Sequence, residues 1–371
     1  MKPLLHIVEP TLANQAGHCF NHTQSLVNAN HSLDIQLWID NRGTSLFQDS
    51  ECSVQGWFSR RWRKFQLAGC YIRCLREGGG VFVPTAGQLD MWVLDILQRL
   101  GVGRGNDSTV ILHFHQFNQT REKERRLRVW AQRHPDWHIL ATTERLLRQF
   151  REVGFGQCAV VHYPAVIPTP PESSSGGTPR LLYAGALRDD KGFSRVAEYL
   201  EFLVEQRVDW PTRVQCSPPS LKSTGEMEQG SANALMRLRA LDYPKLELID
   251  RTLPMAEYHS LFQDAICLQL YDRIAYRDKI SAVALEALYL GSPLITVSDT
   301  WMGDVVTKYG AGVVLDELSN TTIHDAVQHV REDFPAFQKR AQAAGQALAR
   351  LHDPRATLCY LESAIKFSTT P

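Results

Sequence analysis

The stretch "RDKISAVALEALYLGSPLITVS", residues 277 to 298, carries one charge where nearly everything around it is apolar or small. Between Ser281 and Leu290 that charge is Glu286. Ser281 suits an N-cap, where a hydroxyl accepts from the open amides of a first helical turn. Ala282 to Leu290 are mostly good helix formers. Gly291 falls where a left-handed C′ residue belongs, and Pro293 follows where a helix cannot continue. "PLITVS" is a short apolar run rich in β-formers. The segment is thus predicted as loop, short helix, tight turn and strand. With so little polar face, the helix is expected to be enclosed. An enclosed carboxylate costs roughly several kcal/mol unless it is paired or hydrogen-bonded. Two kinds of partner fit: a protein cation or neighbouring loop, which makes Glu286 structural, or the hydroxyls of a ligand bordering the helix.

The same alternation runs through the chain. "LLHIVEP", "DIQLWI", "VFVPT", "TVILHFHQF", "WHILATT" and "CAVVHYPAV" read as strands separated by helices such as "FNHTQSLVNAN", "QLDMWVLDILQRLG" and "ERLLRQFREVG". "PTPPESSSGGTP", residues 168–179, lacks a hydrophobic period and reads as an exposed linker. After it the pattern restarts with "RLLYAGAL", "PTRVQCS", "KLELID", "ICLQLYD" and "PLITVS" as strands, and the chain ends in helices. This predicts an α/β protein with two parallel sheets, each covered on both faces, in two Rossmann-like domains facing a cleft. Ligands of such sheets bind at the carboxyl ends of the strands.

Composition narrows the functional classes. The chain has 371 residues, 44% hydrophobic and 22% charged, with 40 basic and 40 acidic side chains. Zero formal charge argues against a dedicated nucleic-acid binder. Eight cysteines lie scattered without a C-x-x-C pair or a zinc-like Cys/His spacing. No run reaches the ~18–20 apolar residues of a membrane span, and the opening "MKPLLHIVEP" is too short in apolar residues for a signal peptide. A cytoplasmic protein is expected.

Four segments, "LLYAGALRDDKGF", "PMAEYHSLFQDAICLQLYD", the opening stretch and "VVTKYGAGVVLDE", together resemble the second half of retaining glycosyltransferases of the two-Rossmann, or GT-B, type, family 4 above all. The likeness spans about residues 180 to 318. "NQAGH", "HFHQF" and "ILATTERLLRQF" echo the first half in outline. The resemblance implies a nucleoside-diphosphate sugar as donor substrate, no cofactor, and transfer with retention to a hydroxyl of a saccharide, lipid-linked or small-molecule acceptor. It implies an acceptor-binding domain over 1–167, the linker, a nucleotide-sugar domain over 180–350, and a terminal helix in 351–371 packed on the first domain.

Site residues follow from the same resemblance. Glu286 matches the family glutamate that bonds the ribose hydroxyls, a role suited to a group with several acceptor sites and no donor. Asp278 matches the family glutamate at the donor sugar and is one methylene shorter. Ala186 stands where the family has an arginine, and Lys191 before Gly192 is retained. Arg188 lies within reach of the same space. The amides of Ser281 and Ala282 at the start of the helix add anion-binding dipoles. Gly17 in "NQAGH" allows close backbone approach to a phosphate or sugar. His115 matches a family active-site histidine, and His113 shares its strand face. The base is expected near Asp250 and Arg251. No D-x-D triplet occurs, which fits metal-independent transfer and no metal site.

Residues 60–76, "RRWRKFQLAGCYIRCLR", are rich in basic side chains and contain no acid. Trp62, Phe65, Gly69 and Ile72 are expected on one helical face, either packed in the domain or lying on an anionic membrane surface. Two readings compete with transfer: a sugar-nucleotide epimerase or hydrolase, and an inactive homologue that binds a sugar nucleotide or a partner transferase. Ala186 and Asp278 favour the inactive homologue, while Lys191, Glu286 and His115 count against it.

Overall fold

The computed structural model describes residues 2–15, 18–117, 120–164, 177–216, 229–251 and 253–368. They form two compact units: residues 1–166 with 351–371, and residues 167–350. Most of the expected linker lies outside the described residues.

The first unit runs β1 (Leu4–Glu9), α1 (His18–Ala29), β2 (Asp34–Asp40), β3 (Ser53–Phe58), α2 (Arg63–Glu77), β4 (Gly79–Val83), α3 (Gln88–Arg99), β5 (Ser108–Phe114), α4 (Arg121–Arg133), β6 (His138–Ala141), α5 (Glu144–Glu152) and β7 (Cys158–Val160). Its strands form one parallel sheet in the order β3-β2-β1-β4-β5-β6-β7. Alternating side chains feed two cores. Val81, Val83, Val110 and Leu112 pack with α2 to α5. Phe82, Ile111 and Leu140 pack on the opposite face with Leu26 of α1.

The second unit runs β8 (Arg180–Tyr183), α6 (Phe193–Glu205), β9 (Thr212–Gln215), α7 (Gln229–Ala240), β10 (Leu246–Ile249), α8 (Met255–Ser260), β11 (Ala265–Gln269), α9 (Arg273–Tyr276), α10 (Ala282–Tyr289), β12 (Leu294–Val297), α11 (Trp301–Tyr309), β13 (Gly312–Leu315), α12 (Asn320–Glu332) and α13 (Phe334–Leu351). Its parallel sheet has the order β10-β9-β8-β11-β12-β13. In both units the chain builds outward from the first strand, then returns to its other side. The reversal creates a crevice beyond the strand ends: between β1 and β4 in one unit, and between β8 and β11 in the other.

The last helix, α14 (Pro354–Ser368), belongs to the first unit. Leu358, Leu361, Ala364 and Ile365 join the core that α1 covers, and Tyr360 Oη lies 3.0 Å from His138 Nδ1. Gly80 makes this approach possible, since a Cβ there would stand 2.6 Å from Ile365 Cδ1.

The structure contains elements the sequence pattern did not reveal. β3 is an edge strand in which only Phe58 is buried, so it lacks the apolar run of the central strands. α11 and β13 lie inside the motif of residues 305–317 or next to it. α2 buries Leu67, Cys70, Tyr71, Cys74 and Leu75, the i, i+3, i+4, i+7, i+8 stripe. Of the face expected from sequence, Gly69 and Ile72 are half-buried, while Trp62 and Phe65 are 56% and 76% exposed, their rings tilted with centroids 6.0 Å apart.

Candidate functional site

The crevice of the second unit is shaped by two glycines. Gly185 follows β8 with φ +127°, and its amide donates to Gln215 Oε1 at 2.9 Å, at the end of β9. Gly192 closes the loop with φ +73°. A Cβ at Gly192 would stand 2.1 Å from the Leu270 carbonyl oxygen, so only glycine lets this turn seat on the end of β11. Asp189 fixes the loop from the other side, accepting from Ser194 Oγ at 2.7 Å and Ser231 Oγ at 3.0 Å.

Lys191 projects from this loop. Its Nζ lies 3.4 Å from where a Cβ on Gly185 would stand, with Val283 of α10 beside the same point at 3.6 Å. Among the described residues it forms no ion pair within 4 Å. Burial lowers its pKa, the Arg188 charge adds to that, and Asp190 and Glu286 oppose it. Arg188 is exposed and already paired with Asp190. Ala186 contributes no charge, and its carbonyl accepts from Tyr183 Oη at 3.1 Å.

α10 forms as its sequence dictates. Ser281 Oγ accepts from the Ala284 amide at 3.2 Å. At the other end, Gly291 N donates to Leu288 O at 3.1 Å and Ser292 N to Ala287 O at 2.7 Å, a Schellman closure with Gly291 at φ +80°. The helix packs on β11 and β12, and Ser281 Oγ also lies 3.3 Å from Gln269 Oε1 at the end of β11. Ala282, at the first helical position, is exposed. Its amide and that of Val283 have no intrahelical partner.

Glu286 is half-buried on this helix. Its partner is neutral: Tyr258 Oη of α8 donates to Oε2 at 3.0 Å. No cation lies within salt-bridge distance of Glu286 among the described residues, which removes the structural ion pair left open by the sequence. Burial pushes the Glu286 carboxyl up to about 7, against the Tyr258 hydrogen bond and the Lys191 charge, which both lower it. Val283, three residues before Glu286 on α10, lies beside the same point at Gly185 that Lys191 Nζ approaches.

The other expected residues are spread more widely. Asp278 is half-buried in the loop between α9 and α10. Arg251 is exposed and its guanidinium is engaged by Glu257, with Nη1 to Oε2 at 3.1 Å. Gly17 lies outside the described residues.

In the first unit, Glu9 is fully buried at the end of β1. It accepts from Thr11 Oγ1 at 2.5 Å and, beyond β4, from Thr85 Oγ1 at 2.6 Å, bracing the crevice from within. His115 follows β5 and its Nε2 donates to the Pro84 carbonyl at 2.8 Å. His113, two residues earlier on the same face, donates Nε2–H to Val161 O at 3.0 Å. Burial holds His113 down to about 4. Tyr258, Gln215, Asp189 and the Glu9–Thr85 brace were not found from sequence. Apart from Asp189 with Ser194, each is far in sequence from the group it holds and carries no local signature.

Together the two units define the GT-B class of fold. No family model matches the sequence, and no curated protein matches it. The chain is similar in structure to a glycosyltransferase from Rickettsia africae, with TM-score 0.75 and 10% identity, covering 98% of this chain and 99% of that one. It is likewise similar to sucrose-phosphate synthase from Thermosynechococcus elongatus, with TM-score 0.70, 14% identity and coverage of 97% and 98%. Anabaena HepE in complex with UDP-glucose gives TM-score 0.69 and 11% identity, covering 98% of this chain and 99% of that one.

Proposed function

We propose that the protein is a retaining, metal-independent glycosyltransferase that moves a sugar from a nucleoside diphosphate to an acceptor hydroxyl. One observation carries this reading: Glu286, a carboxylate on an apolar helix, is held by the neutral Tyr258 and not by a cation. It keeps acceptor capacity for two adjacent ribose hydroxyls. Lys191, without an ion pair within 4 Å among the described residues, and the first amides of α10 supply positive potential for the diphosphate as the glycosidic bond breaks. In this reading Asp278 contacts the donor sugar and His115 lies at the reacting sugar. Arg188 and Arg251 take secondary parts, because Asp190 and Glu257 already hold them. The leaving phosphate then helps to remove the acceptor's proton, and the transition state is oxocarbenium-like.

HepE has been crystallised with UDP and with UDP-glucose, so UDP-glucose is the first donor to test. A thermal-shift panel of UDP, GDP and their sugars tests the nucleotide site. Donor turnover with and without acceptors then separates the activities: transfer requires an acceptor, epimerisation does not, and an inactive binder shows neither.

The acceptor reading draws support from the start of α2. Trp62 and Phe65 are exposed among Arg60, Arg61, Arg63 and Lys64, the composition of a surface that rests on anionic lipid. Among the described residues, no helix is long and apolar enough to cross a membrane. A peripheral contact of this kind suits a lipid-linked acceptor.

A further inference from the structure

His22, on the inner side of α1, faces the carboxyl end of β5, and β5 turns His113 and His115 toward it. One ring nitrogen from each of the three lies within 4.8 Å of the others. The ring centroids are 5.5 Å apart for His22 and His113, 5.6 Å for His22 and His115, and 4.8 Å for His113 and His115. From this cluster we propose that the first unit binds one divalent transition-metal ion of the zinc class through His22, His113 and His115.

The hydrogen bonds around the cluster suit this role. A carbonyl oxygen can only accept, so the bonds to Val161 O and Pro84 O fix the ring protons of His113 and His115 on Nε2. Each Nδ1 is thereby the lone-pair nitrogen. Ligating histidines are typically oriented in this way, with the far N–H given to a backbone carbonyl. Zinc–nitrogen bonds of about 2.0–2.1 Å at tetrahedral angles place donors roughly 3.4 Å apart. From a widest separation of up to 4.8 Å, the donors would draw together by about 1.4 Å when the ion binds.

The donor set also selects the ion. Three imidazoles without a carboxylate favour zinc, nickel or copper over magnesium and calcium, which require oxygen ligands. His22 and His113 are fully buried. Phe82 and Tyr163 pack against the cluster, with ring centroids 6.2 Å and 5.2 Å from that of His22. A fourth position is left for water or an anion. The ion would tie α1 to the end of β5 and hold the His115 ring in place beside the sugar site of the proposed function, a structural task distinct from binding the diphosphate.

The test uses the full chain, stripped of metal with a chelator and free of any nucleotide, so its outcome does not depend on the transferase reading. Zinc is titrated in competition with a chromophoric chelator, and cobalt is added in parallel as a spectroscopic probe. The expected result is one equivalent bound, a higher Tm, and the intense visible bands of tetrahedral, nitrogen-ligated cobalt. His22→Gln and His115→Gln should each weaken zinc binding at least 100-fold, while His31→Gln, at an exposed site, should leave it unchanged. No binding overturns the proposal. So does zinc affinity in His22→Gln and His115→Gln unchanged from that of the unsubstituted protein, or the pale spectrum of six-coordinate cobalt, which needs no variant to interpret.

Discussion

Tyr258 Oη donates to Glu286 Oε2 at 3.0 Å, joining α8 to α10 through a neutral donor. This bond lowers the carboxyl pKa while burial raises it. Tyr258→Phe should therefore push the Glu286 carboxyl still higher. In the proposed function it should weaken UDP binding at pH 7 by roughly fivefold, about 1 kcal/mol. Glu286→Gln should weaken it at least tenfold. Calorimetric titration checks both, and unchanged affinity in Glu286→Gln would remove the carboxylate from the nucleotide site.

The Glu286 value of about 7 gives a pH window. Its folded pKa lies above the ordinary glutamate value of 4.5. Its contribution to stability is thus fully present below the unfolded pKa and is lost as pH rises through 7. Without ligand, Glu286→Gln should stabilise the protein at pH 8 by roughly 2 kcal/mol, after discounting for partial exposure, and by little at pH 4. Ribose hydroxyls bind the ionised form, so UDP affinity should fall as pH drops from 8 to 6, with proton release on binding near pH 7. Titrations in buffers of differing ionisation enthalpy measure that release.

Lys191 forms no ion pair within 4 Å among the described residues, so its removal should cost activity more than stability. Lys191→Met should lower donor turnover by about 10²–10³-fold, with Tm changed by only a few degrees. Arg188→Ala should have a much smaller effect, because Asp190 already engages that guanidinium. Steady-state kinetics beside melting curves separate the two residues.

Gly192 is fixed by geometry. A methyl group there meets Leu270 O at 2.1 Å, and φ +73° disfavours any side chain. Gly192→Ala should destabilise the second unit by at least about 2 kcal/mol and displace Lys191 with the loop. Denaturant unfolding followed by circular dichroism tests this.

Exposed Trp62 and Phe65 predict salt-sensitive binding to vesicles containing acidic lipid. A Trp62→Ser, Phe65→Ser pair should abolish co-sedimentation at moderate salt and leave Tm nearly unchanged, since neither side chain is in the core. Binding that persists in the double variant would place any membrane contact elsewhere.

Much of the second unit was legible because local chemistry and global position agree there. Ser281 and Gly291 cap α10 as their residue types require, and the restarted strand–helix alternation gave the second sheet. β3 escaped notice because an edge strand needs no continuous apolar pattern. For Trp62 and Phe65 the sequence left two readings open, packed or lying on a surface, and only the fold shows both rings exposed. Around Glu286, the carboxylate itself stood out against its apolar neighbours. Tyr258 did not, because it lies 28 residues away in sequence and only the fold brings the pair together. His22 was equally silent, an ordinary residue on a helix until β5 is set beside it.

The placement of α14 has a consequence for biosynthesis. Its apolar face, with Ile365 against Gly80, completes a sheet whose first strand begins at Leu4. As the polypeptide leaves the ribosome, the amino-terminal sheet has one flank covered only in part, by α1, until the whole second unit has been translated. Nascent chains stalled before residue 354 should expose that flank to chaperones, and release of the final helix should end the exposure.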